Sequence, residues 1–312
     1  MRKNLFVLFI LGLIFSCSDD NKKLLPNSSG NINNISVVIN NELWDGEVGD
    51  VIRENLERPV YGLPQIEPVF TLNHIPSKIF SGFATKSRTI LKVAIGQKEA
   101  VKNLTNQYAS PQHIVYITAK NKEKISELII ENLPSIYSSL YFSELKEKQR
   151  RILKNTNNTQ SLKQNLGLSL KFPSAYRVAK LDSNFVWIRR DIKAGSVNLF
   201  VSKLKKTSKD IFILRDSISK TNIPGPTEDS YMRTDFSYKP NTQEVYFGKT
   251  KTMESRGLWD VKGQFMAGPF INYYIDLGNN NTVMIDGFVY SPGTNKREYI
   301  FELEAIIRSI KF

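Results

Sequence analysis

Residues 270–290 read FINYYIDLGNNNTVMIDGFVY, in which two apolar runs, 270–277 and 283–290, flank a short polar segment. Both runs are dominated by β-branched and aromatic residues, which favour strands. Strands this closely spaced pair in the antiparallel sense, because a parallel pair needs a crossover of about a dozen residues or more. The segment therefore predicts an antiparallel meander.

Similar runs extend from this segment toward both ends of the second half. Further strands are predicted at 168–172, 176–180, 185–190, 197–204, 244–248 and 258–264, with a polar helical stretch after the fourth. A closing helix is predicted from about Arg297, because Ile300, Leu303, Ile307 and Ile310 form one apolar stripe. We predict an α+β body over residues 156–312.

The first half predicts a second α+β body over residues 35–155. A buried strand at 35–39 leads into a helix that Asn41 can cap and whose Trp44, Val48, Ile52 and Leu56 share one face. Strands are predicted at 69–72, 89–95 and 113–119, and a helix from Lys122 that Pro134 should kink or split. The predicted fold class is therefore α+β, with two bodies that are each a mostly antiparallel sheet flanked by helices.

The first residues are typical of a lipoprotein signal peptide. Arg2 and Lys3 precede an apolar run, residues 5–15, that is too short to span a bilayer stably. The run ends LIFSC, which resembles the bacterial lipobox, in which the cysteine receives a diacylglycerol. We predict a signal peptide over residues 1–16 and lipid attachment at Cys17, with palmitate-type acyl chains as the membrane contact.

The residues after the predicted signal peptide indicate a cellular location. Cys17 is followed by Ser18, Asp19 and Asp20, which resembles the acidic export tag of surface lipoproteins in Bacteroidota. Residues 17–34 are polar and aperiodic, which predicts a flexible tether after the acylated N-terminus. The expected location is the outer membrane, with both the cell surface and the periplasmic face left open.

Composition restricts the possible chemistry. The net charge is +13, but the sequence contains no nucleic-acid recognition motif, so we predict no nucleic-acid partner. The single cysteine excludes an internal disulfide and a cysteine-rich metal site. The two histidines, His74 and His113, lie in apolar strand-like stretches, which favours structural roles over a zinc site or a Ser-His-Asp triad. No metal and no cofactor are predicted.

Four residues form a candidate ligand face. Trp44 and Trp259 could line a carbohydrate or peptide groove, although both stand in apolar patterns that favour core packing. Asp50 follows Gly49, and Glu67 precedes Pro68, so these are the least ordinary carboxylates. Capping or loop-fixing roles are their alternative. No catalytic residue is predicted.

Several stretches resemble a Bacteroidota lipoprotein family, the domain of unknown function 4837. In the first half these are residues 25–30, 43–46 with 49–50, 59–65 and 67–70, and in the second half 257–259, 268–270, 287–290 with Pro292, and 296–297. The resemblance covers the whole chain after the signal peptide and implies no activity. The second body is also similar in outline to the Mog1/PsbP-type fold, an antiparallel sheet between helices.

The sequence leaves the biochemical activity open. We expect a non-catalytic binding or assembly module of the cell envelope, whose partner is a protein, a peptide or a glycan. The alternative is a hydrolase that acts on envelope glycans or peptides through paired carboxylates. Whether the chain is an enzyme stays undecided, with the non-catalytic interpretation favoured.

Overall fold

Two separate β-sheets organise the chain in the computed structural model, which describes residues 24–248 and 250–312. The predicted signal peptide, Cys17 and the export tag Ser18-Asp19-Asp20 lie outside the described residues. Within those ranges, no helix combines the length and the apolar character needed to cross a bilayer. The predicted α+β class with two sheet-and-helix bodies is confirmed.

The first body has a five-stranded sheet with helices. Its elements, in chain order, are β1 (Asn34–Ile39), α1 (Asn41–Trp44), α2 (Glu47–Leu56), β2 (Thr71–Pro76), β3 (Thr89–Ile95), β4 (Ala100–Thr105), β5 (His113–Ala119), α3 (Lys122–Glu131) and α4 (Leu133–Ile152). Two short 3-10 turns, Ser77–Ile79 and Gly82–Lys86, lie between β2 and β3.

This first sheet is mostly parallel, which differs from the predicted antiparallel arrangement. The strand order is β2-β1-β3-β5-β4, and only the β4–β5 pair is antiparallel. One physical reason is the helical crossover through α1 and α2, which allows β2 to pair with β1 in the parallel sense. The other is β4, a strand of sequence AVKNLT without a buried residue, which lies between β3 and β5 in the chain. Because β4 takes the chain back along the sheet edge, β5 starts again in the direction of β3.

Helices α2, α3 and α4 cover one face of the first sheet. The core there contains Ile35, Val37, Ile39, Leu43, Val48, Ile52, Leu56, Val69, Phe70, Leu91, Val93, Val115, Ile117, Ala119, Ile125, Ile129, Ile136 and Leu140. The opposite face buries a smaller cluster of Val38, Ile90 and Ile114, against which Phe80 packs from the 3-10 segment.

Both predicted helical stretches of this body are divided in two. The stretch after Asn41 breaks between α1 and α2, and this break presses the carbonyl oxygen of Trp44 against Gly49. A Cβ at Gly49 would lie 1.8 Å from that oxygen, so only glycine fits. Pro134 stands in the first turn of α4, and the predicted split of the later helix is confirmed.

The second body has an eight-stranded sheet whose pairs are all antiparallel, as predicted from residues 270–290. Its elements, in chain order, are α5 (Gln160–Leu166), β6 (Arg177–Leu181), β7 (Phe185–Ile192), β8 (Gly195–Lys205), α6 (Ile211–Asn222), β9 (Met232–Asp235), β10 (Asn241–Phe247), β11 (Thr250–Val261), β12 (Gln264–Gly278), β13 (Asn281–Tyr290) and α7 (Arg297–Ile307).

The second sheet lies between helices. Its strand order is β10-β11-β12-β13-β8-β7-β6, and β9 pairs with the far end of β11. Helix α7 packs on one face together with the end of α4, and α6 covers the other. The strand predicted at 168–172 is not formed. That segment makes one isolated bridge, Ser169 to Lys311, while Leu168, Leu170 and Phe172 are buried.

Part of the predicted tether is fixed to the first body. The backbone of Ser110 donates to the carbonyl of Pro26, and Ser29 donates to Lys86. The guanidinium of Arg88 donates to the carbonyl oxygens of Gly30 and Asn31 at 2.7 and 2.8 Å. The prediction of a tether therefore remains only for residues before Pro26.

Candidate ligand-binding cleft

A cleft of about 480 Å³ lies where the two bodies meet. The first body supplies one wall, from α4 and from the loop after α2. The second body supplies the other, from β10, β11 and α7. The lining side chains include Arg58, Tyr61, Tyr137, Ser138, Tyr141, Phe142, Gln243, Glu254, Arg256, Glu304 and Arg308. Because each body supplies a wall, the cleft exists only when both bodies are folded and in contact.

An ion-pair network lines the second-body wall. Arg256 donates from Nε to Glu254 Oε1 at 2.8 Å and from Nη2 to Glu304 Oε2 at 2.7 Å. Arg308 donates from Nε to Glu304 Oε1 at 2.8 Å, and its Nη2 lies 3.6 Å from Glu254 Oε2. Two arginines thus bridge two nearly buried carboxylates, which balances the charge.

Two tyrosines complete this network. Tyr141 donates its hydroxyl to Glu304 Oε2 at 2.5 Å, and Tyr273 donates to Glu254 Oε2 at 2.5 Å. Burial raises the pKa of both phenols well above its usual value, and the neighbouring carboxylate charges raise it further. Both tyrosines therefore stay protonated and act as fixed hydrogen-bond donors.

The network keeps Glu254 ionised. Burial alone would raise its pKa, but the charge of Arg256 and the hydrogen bonds from Tyr273 and Arg256 hold the pKa below the usual value. A carboxyl group that acts as general acid near neutral pH needs the opposite shift. Glu304 is engaged by three donors, Tyr141, Arg256 and Arg308. The pair therefore forms a rigid, charge-balanced wall.

The first-body wall presents aromatic rings and a cation. The rings of Tyr137 and Tyr141 stack with centroids 5.6 Å apart and planes at 16°. The guanidinium of Arg58 lies 4.1 Å from the Tyr137 ring centroid. Among residues 24–248 and 250–312, no carboxylate lies within ion-pair distance of the exposed Arg58. Its planar donor fork is thus available to a ligand carboxylate or phosphate.

A histidine–serine pair lies in a second pocket beside the cleft. His113 Nε2 is 2.7 Å from Ser139 Oγ, and that hydroxyl donates to Asn103 Oδ1 at 2.6 Å. Because the hydroxyl has one proton, His113 must be the donor to Ser139. Burial, and then the charge of Lys146, lower the pKa of His113. The pair is thus arranged opposite to a serine nucleophile and its base, in which the hydroxyl donates to the imidazole.

The other histidine has a structural environment. The His74 ring stacks on Trp44 at 4.9 Å, and its Nε2 lies 3.2 Å from the carbonyl oxygen of Ile39. Across the two described ranges, no group of three or more His, Cys, Asp and Glu side chains is placed to hold a metal ion.

The structure brings together only two of the four predicted ligand-face residues. The guanidinium of Arg53 lies 4.6 Å from the Trp44 ring, donates to the Trp44 carbonyl and forms an ion pair with Asp50 at 2.7 Å. Trp44 and Asp50 therefore belong to one half-exposed cluster on α1 and α2. Neither residue lines the cleft.

Glu67 and Trp259 have separate structural environments. Glu67 is buried and accepts hydrogen bonds from the backbone N–H groups of Lys296 and Arg297, where α7 begins. Trp259 is 3% exposed and packs on Phe288 in the core beneath α6. Glu67 therefore has a capping role and Trp259 a core-packing role, the alternatives given for them in the sequence analysis. Neither side chain lines the cleft.

The sequence did not identify the residues that line the cleft. A signal exists in α7, where FELEAII places two glutamates inside an otherwise apolar run. Both Glu302 and Glu304 are buried. A charge in a helix that is apolar all round needs a partner, but the sequence does not say that Arg256 and Arg308 supply it for Glu304.

Comparison with known families divides the chain in two. Residues 155–309 match the domain of unknown function DUF4837, and residues 28–153 match a different one, DUF8532. The predicted resemblance to family 4837 is therefore confirmed for the second half. The first half, where the resemblance was also expected, matches the other family. No curated protein matches the sequence.

Two solved structures show partial likeness. The Ran-binding protein Mog1p of Saccharomyces cerevisiae is 14% identical, with a TM-score of 0.30 over 46% of this chain and 89% of Mog1p. The human StarD13 lipid transfer and protein localization domain is 8% identical, with a TM-score of 0.22 over 43% of this chain and 88% of that domain.

Proposed function

We propose that this chain, whose halves match two domain families of unknown function, is a lipid-anchored envelope protein that binds an anionic ligand in its cleft without catalysis. The observation that carries the proposal is the position of Arg58. Its guanidinium is held over the Tyr137 ring at 4.1 Å and has no carboxylate partner in the described part of the chain. It faces a wall whose own charges are already balanced.

The hydrogen bonds made by the carboxylate pair in the wall argue against catalysis. Acid–base hydrolysis between two carboxyl groups needs one of them protonated and the other free to attack or to activate water. Here Glu254 and Glu304 both accept hydrogen bonds from arginine and tyrosine. These contacts fix the walls of the cleft and leave neither carboxylate free.

A hydrolase is the second candidate function, because Glu254 and Glu304 lie side by side in a groove. Its test is release of reducing ends or new amino termini from isolated envelope material by the purified chain. Activity that disappears in Glu254→Gln would support the enzyme. No release by the unaltered chain leaves binding as the function.

The anchor is proposed from sequence alone. Cys17 after an apolar run and a small residue, followed by Ser18, Asp19 and Asp20, supports acylation and export. Acyl chains stabilise membrane attachment by about 0.8 kcal/mol per buried methylene. The test is metabolic labelling with a fatty acid, with Cys17→Ser as the control. Equal label in both proteins, or none in the natural chain, would contradict the anchor.

Photocrosslinking in intact cells tests the cleft. A benzophenone amino acid is placed at Tyr61, which lines the cleft, or at Tyr246, which is exposed and outside it. We expect a crosslinked adduct from position 61 that disappears when Arg58→Gln is added. Arg177→Gln removes an exposed arginine elsewhere and should leave the adduct unchanged. Equal adducts at both positions, or one that survives Arg58→Gln, would refute the proposal.

A further inference from the structure

The second pocket adjoins the cleft. That pocket has a volume of about 540 Å³, and Ser138 and Phe142 of α4 line both cavities. The two cavities therefore adjoin on one helix and share these two side chains. Together they form a groove that runs along α4 from Tyr137 to Lys146.

The second pocket is lined by groups that match a sugar. Ser135 and Ser143 supply hydroxyl groups from α4, and Asn106 supplies an amide N–H group from the facing loop. The Ser139 hydroxyl is already bonded to His113 and Asn103. Hydroxyls donate and accept hydrogen bonds, as the hydroxyls of a sugar do. The pocket therefore offers hydroxyl and amide contacts beside apolar surface, which suits a sugar ring with polar edges and apolar faces.

One cation of this pocket has no partner. Lys146 is exposed, and within residues 24–248 and 250–312 no carboxylate lies at ion-pair distance from its ammonium group. Arg150 of the same pocket is already paired with Glu147 at 2.6 Å. Arg58 at one end of the groove and Lys146 at the other are thus the two cations available to a ligand.

Phe142 offers an aromatic face between the two ends. Its side chain is 46% exposed although it stands on a helix that packs in both bodies. The ring of Tyr141 meets it edge-on at 6.1 Å, which fixes its orientation. The guanidinium of Arg308 lies 5.7 Å from the ring centroid, and the exposed part of the ring can pack against the apolar face of a sugar ring.

We propose, resting on the function proposed above, that cleft and pocket together bind one linear oligosaccharide that carries carboxylate groups. One carboxylate pairs with Arg58, another pairs with Lys146, and a sugar ring between them packs on Phe142. Tyr137 and Lys146 are nine residues apart, which is about 14 Å along a helix. The ligand must therefore be longer than a single sugar.

The test compares chain lengths on the purified full chain. Oligomers of galacturonic acid are titrated by calorimetry, from the monomer to the tetramer. We expect the tetramer to bind at least about tenfold more tightly than the monomer, because linked sites reinforce each other. The methyl-esterified tetramer, which has the same length without the charges, should bind weakly.

Substitutions test whether Lys146 binds the second carboxylate of the ligand. Lys146→Gln should lower tetramer affinity about tenfold and leave monomer affinity unchanged, since a hydrogen bond to a charged group is lost at one end only. Lys154→Gln, an exposed lysine just beyond α4 that lines neither cavity, is the matched control. Arg58→Gln should weaken monomer and tetramer alike.

The outcomes separate this inference from the function on which it rests. Monomer and tetramer that bind equally, or a tetramer insensitive to Lys146→Gln, would overturn the two-ended groove while binding at Arg58 stands. An oligoglutamate peptide that competes as strongly as the tetramer would assign the groove to acidic peptides instead. Failure of every oligomer to bind overturns the inference, and the crosslinking experiment in cells then decides the proposed function by itself.

Discussion

Glu67 in the first body caps α7 in the second, by accepting a hydrogen bond from the backbone N–H of Lys296 at 2.7 Å. The same carboxylate accepts from Arg297 N at 2.9 Å. The side chain of Lys296, the residue before α7, does not cap the helix itself. A carboxylate 229 residues earlier in the chain therefore supplies what a local cap usually does.

Removal of this cap should destabilise the whole chain. Glu67→Ala leaves a buried and a partly buried N–H group without acceptors and removes a negative charge from the helix start. We expect the free energy of unfolding to fall by about 1–2 kcal/mol. Urea denaturation measures the change, and Glu54→Ala, an exposed glutamate of α2, is the control. Equal stability of the two variants would show that the cap contributes nothing.

A second prediction concerns the buried pair Arg88 and Glu144. Glu144 accepts from Arg88 Nη2 at 2.7 Å, and also from Asn33 N and the Thr89 hydroxyl. Glu144→Leu leaves the arginine charge buried and unpaired, so we expect a loss of about 3–5 kcal/mol in the free energy of unfolding.

A double-mutant cycle checks this interpretation. Arg88→Met combined with Glu144→Leu leaves no unpaired charge, so its cost should be clearly smaller than the sum of the single costs. Chemical denaturation of the four proteins gives the coupling energy. Strictly additive costs would show that the two side chains do not stabilise each other.

A third prediction uses the two histidines of the chain. The pKa of His113 should lie below 6.5, because burial first, and then the charge of Lys146, disfavour the imidazolium ion. NMR titration reads both imidazoles, and His113→Gln assigns the signals. Lys146→Gln removes one of the two causes and should move the His113 pKa upward. A His113 pKa that is the same in Lys146→Gln as in the unaltered chain would contradict the effect assigned to the Lys146 charge.

The same shift predicts how stability depends on pH. The folded state binds a proton at His113 less readily than the unfolded state does. This histidine should therefore lower the free energy of unfolding as pH falls through 6.5 toward its folded pKa, and should contribute no pH dependence well above 6.5. His113→Gln should flatten that part of the curve. An unchanged slope in the variant would assign the dependence to other groups.

A fourth prediction concerns Trp259. Its ring is buried against Phe288, so Trp259→Ala should cost about 3–5 kcal/mol in the free energy of unfolding. Trp259→Phe should cost less, because it keeps an aromatic ring and the buried indole N–H has no acceptor among the described residues. Denaturation curves measure both, and crosslinking from Tyr61 should persist in Trp259→Phe. Loss of the adduct in Trp259→Phe would show that Trp259 contributes to ligand binding, as proposed from the sequence.

Local patterns predicted most of the second sheet and less of the first. The antiparallel pairing of β12 with β13 follows from two apolar runs and a short turn, which carry their own register information. The direction of β5 does not follow from local patterns, because it depends on whether a strand such as β4 precedes it. That strand, AVKNLT, has no buried residue and no regular alternation of apolar and polar residues, so its sequence does not predict a strand.

The cleft could not be assembled from local patterns. Arg58 belongs to a loop, Tyr137 to an amphipathic helix, and Arg256 to a strand of alternating burial, and each is ordinary in its own segment. Their proximity comes from how the two bodies pack. Tyr141 and Glu304, for example, are 163 residues apart in the chain and share a hydrogen bond. Sequence patterns predict contacts between residues that lie a few positions apart, and a separation of 163 residues is far beyond that range.

The hydrogen bond between Tyr141 and Glu304 joins the two walls of the cleft, so the binding site exists only in the folded chain. A compound held between the walls binds only the native form, so mass action must shift the folding equilibrium in its favour. At a hundred times its dissociation constant, such a compound adds about 2.7 kcal/mol to stability. Melting temperature alone can therefore rank envelope extracts and purified sugars before the bound species is known.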